Sequence, residues 1–274
     1  MTAHPAPASR FDRLLLTGAA GSLGKVLRER MRPWARVLRA SDVAALEPAG
    51  ADECVRCDLA DGRAVDDLLR GVSAAVHLGA VSVERPFHEI LQANILGTYN
   101  VYESARRHGV KRIVFASSNH VVGFYRQDQR IDADAPPRPD SNYGVSKAFG
   151  EDLARFYFDR YGIETVCLRI GSSFPEPRDV RMLTSWLSYD DLTDLVQRAL
   201  TVPDVGFTIA FAASANRDSW WDNRKAAHLG WTPRDSAERH RARLEAQPPP
   251  APDDPLVTYQ GGTYTALGPF EPNW

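Results

Sequence analysis

The chain has 274 residues, enough for one large α/β domain with a sizeable buried core. Its 33 basic and 35 acidic residues leave a net charge of −2, and no run of Lys or Arg is dense enough to form a stripe for a polyanion, so nucleic acid is not an expected partner. Three cysteines exclude a disulfide framework, Cys54-x-x-Cys57 lacks the second pair that a zinc site needs, and no apolar run reaches membrane-spanning length. The expected environment is therefore the cytoplasm, with Cys54 and Cys57 as strand residues, no metal and no membrane contact.

Residues 1–10, rich in Pro and Ala, read as a flexible leader. Arg13-Leu14-Leu15-Leu16-Thr17 is a short apolar run suited to a strand buried on both faces. It runs into Gly18-Ala19-Ala20-Gly21-Ser22-Leu23-Gly24, which opens an amphipathic segment reaching about Met31, with Pro33 as a stop. Strand, glycine turn and helix in this order make a dinucleotide site. Gly18 permits the tight turn, Gly21 lets the backbone approach a pyrophosphate, and Gly24 lets helix and strand pack closely, while the helix N-terminus supplies free N–H donors. A second strand, Ala35 to Ala40, leads to Asp42, where a carboxylate accepts hydrogen bonds from the adenosine ribose hydroxyls. That carboxylate repels a 2′-phosphate and favours NAD over NADP, although Arg39 leaves NADP open.

A third strand, Glu53 to Cys57, delivers Asp58 and Leu59 to the same sheet edge, where they can meet the adenine. Asp58 reads equally well as the N-cap of a helix from about Asp61. A fourth strand, Ala74 to Ala80, ends in a small-residue loop in which Gly79 and Ala80 leave room for a cofactor; His77 reads as a packed strand histidine, and Ser82 follows in the loop. A helix from about His88 to His108 carries Asn94, whose poor propensity at mid-helix points to a specific bond with backbone, water or polar neighbours. The fifth strand, Arg112 to Ser117, ends in Ser118-Asn119-His120, a polar group at the carboxyl edge where open α/β sheets bind ligands.

A Pro-rich loop from Ala135 to Asp140 leads into Ser141-Asn142-Tyr143-Gly144-Val145-Ser146-Lys147, the opening of a helix that runs to about Tyr161 and ends at Gly162 in the manner of a C-cap. Tyr143 and Lys147 lie four apart, on one face. A free phenol has a pKa of about 10, and a neighbouring ammonium favours its phenolate, so Lys147 is expected to prepare Tyr143 to take a proton from a hydroxyl. A sixth strand, Glu164 to Ile170, opens onto Ser172 and then Arg181. A helix near Tyr189 to Leu200, a strand near Phe207 to Phe211 and a helix near Trp220 to Leu229 read as a small cap. Gln247 to Pro252 is a stiff linker to a tail, Tyr259 to Tyr264, that either covers the site or reaches a neighbouring subunit. The reading is thus an α/β chain with a Rossmann-type doubly wound parallel sheet: leader 1–10, dinucleotide-binding core 11–171, small C-terminal substrate-binding cap 172–246, linker and tail 247–274.

Five ordered motifs, Thr17 to Gly24, Asp58-Leu59, Asn94-Ile95-Leu96-Gly97-Thr98, Ser117-Ser118 ahead of Gly123, and Tyr143-x-x-x-Lys147, carry a resemblance to the extended short-chain dehydrogenase/reductases from Leu14 to about Ile170. The resemblance places the catalytic serine five residues before Gly123, at Ser118, with Tyr143 as base and Lys147 as its partner. The expected NAD site takes in Gly18, Ala20, Gly21, Ser22, Leu23, Gly24, Asp42, Asp58, Leu59, Gly79, Ala80, Asn94, Tyr143 and Lys147. Nearly end to end, the chain also resembles the uronate dehydrogenases, on Val114 to His120, Arg169 to Ser172 with Pro175-Glu176-Pro177, Arg181-Met182-Leu183, Ser214-Ala215-Asn216 with Trp220 to Asn223, and Gln260-Gly261-Gly262-Thr263. That resemblance implies NAD-dependent oxidation of the anomeric hydroxyl of a sugar acid, glucuronate or galacturonate, to a lactone. It implies that Ser82, Ser118, Asn119, His120, Tyr143, Ser172 and Arg181 line the sugar pocket, Ser173-Phe174 being a departure from the family pattern.

Arg181 offers a planar, always charged fork for a carboxylate; otherwise it is a plain surface arginine. Two rival readings are a nucleotide-sugar epimerase or dehydratase, which needs a larger C-terminal domain than follows Ile170, and a non-catalytic dinucleotide sensor, which has no use for Ser118, Tyr143 and Lys147 together. A homo-oligomer is expected.

Overall fold

The computed structural model describes residues 10–50, 52–268 and 270, so all but one residue of the expected leader lies outside the described residues. Its strands are β1 (Phe11–Thr17), β2 (Ala35–Asp42), β3 (Asp52–Arg56), β4 (Ala74–His77), β5 (Arg112–Ser118), β6 (Ile131–Asp132), β7 (Glu164–Ile170), β8 (Ser172–Ser173), β9 (Trp186–Leu187), β10 (Phe207–Ala212) and β11 (Trp221–Asp222). Seven of them form one parallel sheet in the order β10-β7-β5-β4-β1-β2-β3. The order reverses between β1 and β4, so the connections leaving these two strands turn away from each other and open a crevice at their carboxyl ends. Thr17, at the end of β1, sits opposite both Ser41 of β2 and His77 of β4, which brings three strand ends level at that crevice.

Alternation along the strands explains why both faces are covered. Leu14, Leu16, Val76, Val114, Val166 and Leu168 point to one face, where they pack with Leu27 and Met31 of α1 (Ser22–Met31). Leu15, Ala75, Ile113, Phe115 and Cys167 point to the other. There they meet Val65 and Leu68 of α2 (Gly62–Leu69), Val101 and Tyr102, and Ala154 and Tyr157. The helix expected from His88 to His108 runs as α3 (Phe87–Ile90), a π-helical stretch Leu91–Leu96 and α4 (Gly97–Arg107). The tyrosine helix is α5 (Asn142–Tyr161). Ser141 caps it by accepting from the Gly144 N–H, and Gly162 ends it with φ 65° in the left-handed region.

The carboxyl-terminal third departs from the expected cap. Helix α6 (Met182–Ser185) is a single turn, but α7 (Tyr189–Thr201) lays Leu192, Leu195, Val196 and Ala199 on the same core face as α1, and β10 pairs with β7 from Phe207↔Thr165 to Ala212↔Ile170. Both elements therefore complete the central sheet. Their apolar stripe, Ala210 and Ala212 included, enters the core shared with α1. The helix expected at Trp220–Leu229 is β11 followed by a 3-10 turn, Arg224–Leu229. Trp221 stacks on Phe211 at 5.1 Å, and the Asn223 amide accepts from the Phe211 N–H and donates to its carbonyl, fixing this stretch across the sheet edge in place of a helical turn. Beyond it come two short turns, α8 (Arg241–Glu245) and α9 (Pro255–Thr258), and then residues 259–266, which fold back over the crevice.

Among the described residues no helix is long and apolar enough to cross a membrane.

Candidate active site

The crevice at the reversal point is a cleft of about 820 Å³. Its nucleotide end begins at Gly18, whose φ of 72° only a residue without Cβ holds comfortably, and continues over Gly24, where a Cβ would strike the Gly18 carbonyl. The turn feeds α1, whose N-cap Gly21 brings no side-chain acceptor and whose first turn has no acidic residue, so its N–H groups face the cleft. Such an end is built for an anion. Asp42 stands at the rim; its Oδ2 accepts from the Ala20 N–H at 2.9 Å and its Oδ1 from the Ala44 N–H at 3.1 Å. The glycine turn and the Asp42 carboxylate are thereby one unit.

Asp58 and Leu59 line the next part of the cleft. Of the two readings left open for Asp58, the helix cap falls to its neighbour, since Asp61 accepts from the Arg63 and Ala64 N–H groups, while Asp58 closes only its own turn onto Ala60. Arg39 points elsewhere: it pairs with Glu53 at 2.8 Å and donates to the carbonyls of Leu68 and Arg70. Lys147 and Arg181 are the only Lys or Arg side chains among the lining residues. The cleft therefore fits the pyrophosphate and diol of NAD, and among its described lining residues no Lys or Arg adjoins Asp42, whose partner across β2 and β3, Arg56, donates to the Val43 carbonyl.

Asn94, expected to contact the cofactor, lies behind the cleft wall instead. Its amide accepts from the Val81 N–H at 2.8 Å, donates to the Val81 carbonyl at 3.0 Å and to Ser146 Oγ at 2.9 Å. Both its donors and its oxygen are engaged in tying the loop after β4 to α5, so Gly79, Ala80 and Ser82 hold their place at the cleft. His77 is a packed histidine as the sequence indicates, with Nδ1 2.8 Å from Thr17 Oγ1 and Nε2 3.3 Å from Thr98 Oγ1; burial, with Lys147 adding to it, depresses its pKa to about 3.

At the centre stand Ser118, Tyr143 and Lys147, all buried. Ser118 ends β5 with its hydroxyl near the Tyr143 phenol, and Lys147 Nζ lies 5.5 Å from the Tyr143 ring centre and 5.0 Å from that of Phe115. The electrostatics reverse one expectation. Burial pushes the Tyr143 phenol above its ordinary value, Tyr264 and Asp140 add to the rise, and only the nearby Ser118 hydroxyl pulls it back. Burial pushes the Lys147 ammonium down to about 7. Desolvation disfavours either charge alone, whereas a proton passed between the two makes a mutually stabilised pair. Glu84, which sequence reasoning did not single out, holds the helix itself: its carboxylate accepts from the Asn142 and Tyr143 N–H groups at 3.0 and 2.8 Å.

The far end of the cleft is polar and assembled from distant segments. His120 Nδ1 is 2.7 Å from Asp140 Oδ2, and Asp140 Oδ1 accepts from Ser141 Oγ, so one buried carboxylate orients the histidine and the cap of the tyrosine helix. Asn119 satisfies both ends of its amide with the oxygen turned towards Arg181, accepting from Nη2 at 2.8 Å and donating to the Ile170 carbonyl at 3.1 Å. Arg181 is buried, with Nη1 3.1 Å from Ser172 Oγ and Nε 2.8 Å from the Gln260 carbonyl, which Nη2 also meets. The expected fork is thus engaged throughout within the chain, its Nε–Nη2 edge by the tail and its Nη1 by the Ser172 and Ser185 hydroxyls at 3.1 and 3.4 Å, so a ligand reaches Nη1 in place of one of those hydroxyls. Tyr264 stacks on His120 at 3.8 Å and closes the roof, with Leu256, Gly261 and Thr263 also lining the cleft. Of the two roles open to the tail, covering the site is the one adopted within this chain. In the sequence Gln260 carried no functional signal beyond its place in Gln260-Gly261-Gly262-Thr263, and Tyr264 none beyond its place in the tail.

Comparison with known proteins agrees with this arrangement. Residues 14–207 match the model of the NAD-dependent epimerase/dehydratase family. The chain is 63% identical over 262 residues to uronate dehydrogenase of Pseudomonas putida, covering 95% of this chain and 98% of that protein. Among solved structures it is similar to a point mutant of Agrobacterium tumefaciens uronate dehydrogenase complexed with NAD, with TM-score 0.93, 52% identity and coverage of 95% and 99% of the two chains. It is also similar to glucuronic acid dehydrogenase from Chromohalobacter salexigens, with TM-score 0.92, 52% identity and coverage of 94% and 97%.

Proposed function

The chain belongs to the NAD-dependent epimerase/dehydratase family and, within it, to the uronate dehydrogenases, and from that premise we infer which reaction its cleft performs. The protein oxidises a hexuronic acid with NAD, converting the anomeric C1 hydroxyl to the carbonyl of an aldaric acid lactone. The observation that carries the residue assignment is the convergence, in one cleft, of the Ser118–Tyr143–Lys147 group with Arg181, Ser172, Asn119 and His120 at its polar end.

NAD, when bound, supplies the acceptor for the hydride that leaves C1. The turn from Gly18 to Gly24 would hold its pyrophosphate, Asp42 its adenosine ribose, Asp58 and Leu59 its adenine, and Gly79, Ala80 and Lys147 the nicotinamide half. In the proposed roles Tyr143 receives the C1 hydroxyl proton at its phenolic oxygen and Ser118 fixes that hydroxyl by a hydrogen bond. Lys147, titrating near neutrality, takes up charge as Tyr143 releases its own proton. At the other end Arg181 Nη1 and Ser172 receive the C6 carboxylate, and Asn119, His120 and Ser82 meet the ring hydroxyls. The nucleotide-sugar reading is disfavoured by the 63% identity to a uronate dehydrogenase over 98% of that protein's length.

Exposed Phe87 and Leu91, one helical turn apart, and exposed Val145 of α5 support the expected self-association, which light scattering tests. A cytoplasmic location is part of the same proposal. The functional test is NAD reduction across glucuronate, galacturonate, glucose and UDP-glucose: turnover on the two uronates and none on UDP-glucose is expected, and the opposite order would overturn the reading.

A further inference from the structure

The mechanism above leaves the carboxyl-terminal segment without a task, yet its anchoring is elaborate. Gln260 is wholly buried. Its Oε1 accepts from Trp221 Nε1 at 2.9 Å, and its Nε2 donates to the carbonyls of Arg126 and Gln129 at 3.1 and 2.7 Å. Its backbone N–H donates to the Tyr125 carbonyl at 2.8 Å, and the next N–H, of Gly261, to the Gly123 carbonyl at 2.9 Å. Every one of these bonds ties the segment to the scaffold. The remaining group of Gln260, its carbonyl, takes the Nε–Nη2 edge of Arg181.

A guanidinium is planar, so fixing one edge fixes the whole group and decides where Nη1 points. Here Nη1 is directed at the Ser172 and Ser185 hydroxyls, which a carboxylate at that end would replace as its partners. A carbonyl also differs from a carboxylate in carrying no net charge: it orients the guanidinium and leaves its positive charge available to an anion. The chain passes so close that only glycine fits next, because Gly262 has φ 62° and a Cβ there would lie 2.7 Å from Arg181 Cδ.

We propose that Gln260 is the positioning residue for carboxylate recognition: its buried side chain anchors the tail, and its carbonyl sets the plane of Arg181 so that Nη1 meets the C6 carboxylate of the sugar acid. The proposal rests on the reading that Arg181 receives that carboxylate, and the test separates the two. Gln260→Met keeps the length of the side chain and removes its hydrogen bonds. It is expected to raise KM for glucuronate about tenfold while kcat and KM for NAD stay within about twofold, the pattern of lost ground-state binding. In an Arg181→Ala background the same substitution is expected to add less than about twofold, because its effect runs through Arg181. Should Gln260→Met fail to fold, Gly262→Ala, which presses the tail off Arg181 and leaves the Gln260 anchor in place, is expected to give the same pattern.

Equal losses in KM for NAD and glucuronate, or a full loss on top of Arg181→Ala, would reduce Gln260 to a structural residue and overturn the proposal. A fall in KM for glucuronate would overturn it in another way, since the carbonyl would then be a competitor of the substrate. If Arg181→Ala alone leaves kcat/KM for glucuronate unchanged, both the proposal and the carboxylate role of Arg181 fall; if that variant is impaired and the cycle is additive, only the proposal falls.

Discussion

The two ends of the cleft are built by different means. The nucleotide end uses backbone: a glycine turn, the first N–H groups of α1, and one carboxylate, Asp42, bonded to that same turn. The sugar end uses side chains, each supplied by a different part of the chain and held by another: His120 by Asp140, Arg181 by Gln260, Tyr143 by Glu84 and Ser118. A backbone cradle serves any dinucleotide, whereas an array of mutually braced side chains is tuned to one pattern of hydroxyls and charge. Substitutions should therefore separate the ends cleanly.

The largest separation is expected at Tyr143. Tyr143→Phe removes the proton acceptor and should cut turnover by about 10²–10⁴, the usual scale for an acid/base group, while NAD affinity from fluorescence titration stays near wild type. Wild-type turnover in that variant would break the comparison at its centre. Arg181→Ala comes next. Loss of a charge-assisted contact worth about 1.5–3 kcal/mol should lower kcat/KM for glucuronate roughly ten- to hundredfold without touching NAD affinity. Arg181→Lys should recover little, because an ammonium supplies the charge but cannot hold the Gln260 carbonyl by a planar edge and meet the carboxylate at once.

Asp42→Ala sharpens the opposite end. It deletes a charged acceptor and frees the Ala20 N–H, so NAD should bind about tenfold more weakly while the KM for glucuronate, measured at saturating NAD, hardly moves. A change confined to glucuronate would mean that Asp42 does not face the cofactor. The smallest effect is on pH dependence. Tyr143 and Lys147 hold one shared proton in the reactive form, and below the Lys147 value of about 7 they hold two. As pH falls, kcat/KM for glucuronate should decline by about tenfold per unit beneath that value and level off above it. Lys147→Met should erase this limb from the pH profile, leaving low and flat activity.

The contrast between the ends also explains what could be read from the chain alone. Gly18 to Gly24 and Tyr143 with Lys147 act at short spacings fixed by a turn or a helix, so their arrangement survives in the sequence, and so does the Ser141 cap. Asp42 and Ala20 are likewise tied by the regular rise of β1, α1 and β2. The braces of the sugar end have no such rule. Gln260 lies 79 residues from Arg181 and Glu84 lies 59 from Tyr143, and only packing brings them together.

The same holds for β10. Its alternation is that of any half-buried strand, and whether it enters a cap or extends the central sheet depends on Ala210, Ala212 and the Leu192 face of α7 finding the core of α1. Asn94 shows the reverse case. Its unfavourable place in a helix signalled a specific bond, yet whether the partner was a ligand or the Val81 backbone was decided by a loop thirteen residues away.

The central claim is that hydride leaves C1 of a uronate, and an isotope reports it directly. Glucuronate deuterated at C1 is incubated with the enzyme and NAD, and the reduced nicotinamide is examined by proton NMR or mass spectrometry. Deuterium in the reduced cofactor, with a lactone as the sugar product, is the predicted result. Unlabelled reduced cofactor, with deuterium retained on the sugar, would mean that oxidation occurs at another carbon, as a nucleotide-sugar epimerase or dehydratase would have it, and would contradict the account.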